Sequence, residues 1–95
     1  MANALMERVH DAPKTLLEIG IEYDRLTKGL IAKLILDAGE AGIDRTELFT
    51  QVRRAAAEEF PQFHYDADSF ELDLGGVQRK HLGLYESMGR IFIVQ

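Results

Sequence analysis

The sequence predicts a mainly α fold with a small β element: three core helices and a short β-strand or hairpin at the C-terminal end. Three observations predict it. Apolar residues recur at three- and four-residue steps through most of the chain. Capping residues, glycines and a proline stand where helices should start and stop. The stretch Ile91-Phe92-Ile93-Val94 is β-branched and aromatic, the composition of a strand.

In chain order, residues 3–11 suit a short helix with Leu5, Met6 and Val9 on one side, ending before Ala12-Pro13. Residues 13–23 carry two patterns. Leu17, Ile19, Ile21 and Tyr23 alternate with Glu18, Gly20 and Glu22, as a strand would. Leu16, Ile19, Tyr23, Leu26, Leu30 and Leu34 instead trace one helical face, and the pairs Lys14/Glu18 and Asp24/Lys28 add i,i+4 support, which favours helix. Residues 26–38 read as helix, with a broad stripe of Leu30, Ile31, Leu34, Ile35 and Ala38 and a C-cap at Gly39. Glu40-Ala41-Gly42 is a turn. Asp44 and Glu47 then form a capping box, and Ile43 and Leu48 occupy the staple positions around it. This second helix runs to about Phe60, where Pro61 stops it. Residues 62–68 form a polar connection, and Phe70, Leu72 and Leu74 then suit either a short strand or a turn of helix. Residues 76–88 read as a third helix with Val77, His81, Leu84, Tyr85 and Met88 on one face. Gly89 ends it, and 91–94 form the strand.

With 95 residues the chain is expected to be one domain, an N-terminal extension over 1–23 and a core over 24–95. A hydrophobic content of 46% against 28% charged excludes global disorder. The absence of cysteine removes disulfides, thiolate catalysis and Cys-based zinc sites, and fits a reducing compartment. Glu7 and Asp11 interrupt what a signal peptide would keep apolar, and Lys33 breaks the densest apolar run. A cytoplasmic protein without a membrane partner is expected. The net charge is −5, unevenly spread: residues 61–74 hold four acidic and no basic groups, whereas 75–95 hold three basic and one acidic.

Nothing in the chain composes a catalytic or metal site. His10, His64 and His81 have no partner at ligand spacing, and His81 reads as a core or core-rim histidine. Asp66-x-Asp68 opens like a calcium loop, but Phe70, Glu71 and Val77 stand at its fifth, sixth and twelfth positions, where ligands and a glycine are required. Gly75-Gly76 lacks the surrounding pattern of a phosphate loop, and neither Ser69 nor Ser87 has a triad around it. No enzyme activity, cofactor or metal is expected.

Helix 26–38, Ile43 in a short turn, a capped helix 44–60, a helix 76–88 and then Gly89-Arg90-Ile91-Phe92-Ile93-Val94 make an ordered series. The matching residues are Ile43-x-x-x-Glu47-Leu48 and Leu82-x-x-Tyr85-x-x-x-Gly89-x-Ile91. The series resembles the winged helix-turn-helix superfamily over about residues 26–95. Three features depart from the pattern: a long connection near 61–74, a chain with one wing strand, and Gln78 where an aliphatic residue is usual. The resemblance implies a winged-helix-like three-helix core and double-stranded DNA as partner. Gln78, Arg79 and Lys80 would face the groove, and Arg45 and Arg90 would contact phosphates. A small DNA-binding regulator or a phage- or plasmid-type accessory factor follows. The alternative is an acidic protein-interaction module on the same scaffold, which the net charge favours. The stripe Leu16, Ile19, Tyr23 extends past a three-helix core and predicts a homodimer interface.

Overall fold

A computed structural model of the chain describes residues 15–81 and 83–94. The short helix expected over 3–11 and the motif residue Leu82 lie outside the described residues. The first element is helix α1 (Leu16–Ala38), 23 residues or roughly 34 Å long at 1.5 Å per residue. The Thr15 hydroxyl caps it by accepting the Glu18 amide at 3.1 Å, and Gly39, with φ 60°, returns its own amide to the carbonyls of Ile35 and Leu36. The two patterns over 13–23 thus resolve to helix wherever that stretch is described. Thr27, Ile31 and Ile35 are its buried line, at four-residue steps, while Leu17 and Ile21 of the alternating pattern are exposed.

A 3₁₀ turn (Gly39–Ala41) leads through Gly42 into the two-residue strand β1 (Ile43–Asp44). Gly42 has φ 80°, and a Cβ there would stand 2.8 Å from Arg90 Cγ and 2.9 Å from the Ile91 carbonyl, so the close passage of the C-terminal strand requires glycine. Helix α2 (Arg45–Glu59) starts where the capping residues place it. The Asp44 carboxylate accepts the amides of Thr46 (3.0 Å) and Glu47 (3.1 Å), and Ile43 and Leu48 are both buried. The expected return contact from Glu47 gives way to a bond along the helix, in which its carboxylate accepts Gln51 Nε2 at 3.3 Å.

The third helix differs from expectation. Helix α3 spans Ala67–Lys80, capped by the Asp66 carboxylate on the Ser69 amide at 2.8 Å, and it buries Phe70, Leu74 and Val77. The connection before it is therefore residues 60–66, in place of the long one expected. Residues 84–88, read as the end of a helix, instead form strand β2 (Leu84–Ser87) and the first turn residue, and Gly89 leads into β3 (Arg90–Ile93). Met88 and Gly89 both have positive φ (53° and 75°), the geometry of a two-residue turn whose twist matches paired strands. The C-terminal hairpin thus has both its strands within the chain.

The sheet is antiparallel in the order β1-β3-β2, with Ile43 opposite Ile91 and Tyr85 opposite Phe92. Its inner face puts Ile91 in the core shared by the helices, with Ile31, Ile35, Leu48, Val52, Leu74 and Phe70. A mainly α fold with a C-terminal β-hairpin is what the chain adopts. Tyr23 closes one end of the core, its ring 5.5 Å from Phe60, 4.7 Å from Phe63 and 6.1 Å from Tyr65. Among the described residues no helix is long and apolar enough to cross a membrane.

Candidate functional site

The five residues expected at DNA occupy three different environments. Arg45 opens α2, and its guanidinium is held between two carboxylates, Glu71 of α3 and Glu86 of β2. It also lies over the Phe70 ring, 5.7 Å from the centroid. The hydrogen bond to Glu71, followed by the bond to Glu86, holds its proton more tightly than usual although burial opposes this. This arginine ties three elements together and is already neutralised. Arg90 is committed too, donating to the Ala41 carbonyl at 3.3 Å and the Gly42 carbonyl at 3.1 Å. Gln78, Arg79 and Lys80 lie in the last turns of α3, not at the start of a helix. Gln78 is half-buried, and Arg79 and Lys80 are exposed. Two cations in a last helical turn complement the negative end of the helix dipole, which gives them a local structural role.

Gly75-Gly76 sits inside α3, with the Arg79 guanidinium 3.4 Å from where a Gly75 Cβ would be. It is no phosphate cradle at a helix start. His81 caps α3 and is exposed, against the core-rim placement expected. Of the expected dimer residues, Leu16 is 78% exposed, Ile19 is half-buried and Tyr23 is used within the chain.

The surface that α3 and the hairpin do present is acidic and apolar. Outward from the first half of α3 stand Asp68, Glu71 and Leu72, the last 75% exposed. Met88 stands fully exposed at the hairpin tip, and Tyr85 is half-exposed, stacked on Phe92 with centroids 6.2 Å apart. Arg45 joins the helix and hairpin halves of this surface through Glu71 and Glu86. The Asp66 carboxyl is held below the usual carboxylate range by the Ser69 amide and hydroxyl, with His64 adding to the effect. The helix end is therefore charged at neutral pH. Sequence reasoning placed Glu71 in an acidic stretch, Asp66 to Asp73, but missed Leu72 and Glu86. The signal for Leu72 was the helical spacing Phe70, Leu74, Val77, which turns it outward.

No family model, curated protein or solved structure matches this chain.

Proposed function

We propose that the chain is a winged-helix-type module that acts through protein–protein contact, offering the α3–hairpin face to a basic partner surface. The element order α1-β1-α2-α3-β2-β3 supports the scaffold. The pairing of Arg45 with Glu71 and Glu86 carries the choice of partner. A helix of this kind enters the major groove by its N-terminal half. Here that half presents Asp68 beside a cluster of two carboxylates on one guanidinium, a net negative surface that repels phosphate. Leu72 and Met88 are apolar knobs in an acidic field, suited to anchor a partner.

Fluorescence anisotropy with a labelled duplex at low ionic strength tests this reading. Little binding is expected, unchanged in Arg79→Ala. Tight binding that weakens with salt at a slope near −0.9 per phosphate, and is lost in that variant, would overturn it. Such a result would establish the second reading, a DNA-binding regulator, which the exposed Arg79 and Lys80 favour. We further propose self-association through the first turns of α1, where Leu16 and Leu17 stand exposed together. The lack of cysteine supports a cytoplasmic location.

A further inference from the structure

Helix α2 has an outer stripe, Thr50, Arg53, Arg54 and Ala57, at three- and four-residue steps and turned away from its buried line of Leu48, Val52 and Ala56. Phe63, His64 and Tyr65 of the 60–66 connection face this stripe across a cleft of about 390 Å³. The small Ala57 leaves room between them. Among the described residues none that lines the cleft is acidic, in a chain with 16 acidic residues.

We propose that this cleft binds a phosphomonoester dianion, an inference independent of the protein-contact reading above. Charge is the first argument. Arg53 and Arg54, like Arg25, Arg79, Lys80 and Arg90, have no ion pair among the described residues, and these two stand together at a cleft whose described lining has no carboxylate. Two guanidinia without an ion pair and an imidazole meet at this one cleft. Preorganisation is the second argument. Arg53 lies over the Phe49 ring, 5.3 Å from its centroid, so its planar donor fork is held in place.

Ligand class follows from the donors. The Thr50 hydroxyl is spent on the Thr46 carbonyl at 2.9 Å, so recognition falls on the guanidinia and His64. Three donor groups match the three terminal oxygens and near-double charge of a phosphoryl group better than the two oxygens of a carboxylate. Surrounding charge selects a terminal phosphate over a backbone diester. Glu47 and Glu58 stand with Arg54 along the neighbouring groove beside α1, and Asp66 follows the connection. A second phosphate on either side would meet carboxylates. The dianion is carried by a small molecule such as a mononucleotide or by a phosphorylated side chain, and the chemistry at the cleft is the same.

The test is a titration of the ¹⁵N-labelled chain, followed by its amide resonances, at constant ionic strength. The probes are inorganic phosphate, a short neutral peptide carrying phosphoserine, and adenosine monophosphate, with sodium chloride as control. Saturable shifts are expected at Thr50, Arg53, Arg54, Ala57, His64 and Tyr65. Affinity should fall roughly tenfold in Arg54→Gln, the loss of one charge-assisted contact. Because Arg53 also packs on Phe49, Arg54→Gln is the deciding variant, with its melting curve as a check that the fold is kept. Stronger binding of the peptide assigns the site to a modified segment, and stronger binding of the nucleotide assigns it to a small ligand. Equal shifts with chloride, shifts centred on Arg79 and Lys80, or an Arg54→Gln variant that titrates like the parent would each overturn the proposal. Displacement of bound phosphate by duplex DNA at equal phosphate concentration would overturn the terminal-phosphate selectivity.

Discussion

Met88 is the residue whose backbone and side chain disagree. A φ of 53° costs an L-residue with a Cβ about 1 kcal/mol, and asparagine tolerates this region best after glycine. Its side chain touches nothing that would repay the cost, being fully exposed. Met88→Asn should therefore raise stability by roughly 0.5–1 kcal/mol, read as a higher midpoint in urea. An unchanged or lower midpoint would mean that the methionine packs on something in solution. A strained, exposed apolar residue is itself a pointer to a contact surface. Residue identities also explain how much of the site was legible in the sequence. Arg79 and Lys80 are as exposed as their charge suggests, but Arg45 and Arg90, which read as free cations in the sequence, are both engaged. Nothing local announces that Glu71 lies 26 residues from Arg45 in sequence and in contact with it in space, or that Arg90 reaches back to Ala41.

At the scale of elements, the first two helices were legible because their signals are local. Asp44 sits one residue before a helix, and Gly39 ends the preceding one. Asp44→Ala should cost about 1 kcal/mol by leaving the Thr46 and Glu47 amides without their acceptor. A thermal melt matching the parent would show that the cap contributes nothing. The third helix was misplaced by a coincidence of period. Val77, Leu84 and Met88 fall on one helical face only if the helix continues past Lys80, and His81 and Gly83 are not helical. Leu84 instead points inward from a strand, and Met88 leaves the protein altogether. Met88-Gly89 also hides the turn, because the usual asparagine or glycine before the second glycine is absent. The alternation Phe70, Leu72, Leu74 suited a strand or a turn of helix equally, and the helix is what forms. Two of the three are buried on a helix, and the middle one is the exposed knob.

For the whole molecule, two behaviours follow from how the ends of the core are closed. The Tyr65 hydroxyl donates to Asp73 at 3.0 Å inside the aromatic cluster with Tyr23. Burial, then the Asp73 charge and hydrogen bond, push its ionisation far above the ordinary 10.0. A group whose folded pKa is raised stabilises fully below its unfolded value and loses that contribution as pH rises beyond it. The melting temperature should thus fall as pH climbs above about 10, and Tyr65→Phe should flatten that limb of the curve. An alkaline profile identical in the two proteins would contradict the assignment. The other end is α1. Leu16 and Leu17 continue the helix with no cover among the described residues, so self-association is the expected outcome. Sedimentation equilibrium at micromolar concentration should give a dimer mass, and a monomer mass after Leu16→Glu with Leu17→Lys. A monomer mass in the parent chain removes the proposal.

The contact between the Gly89 carbonyl and the Arg45 amide, 2.8 Å long, has a consequence for how the chain assembles in time. Helix α2 begins under the hairpin turn, and the buried Ile91 pairs with Ile43 just before it. During synthesis all three helices are made before residues 84–93 exist. Until then Ile43 has no strand partner, the first amide of α2 has no Gly89 carbonyl, and the pit that Ile91 fills stays open. The helices can form and touch early, since their contacts are short in sequence, but final closure waits for the longest loop in the molecule. A nascent chain held at the helices alone would expose a hydrophobic slot the width of one strand, which is the kind of surface chaperones bind.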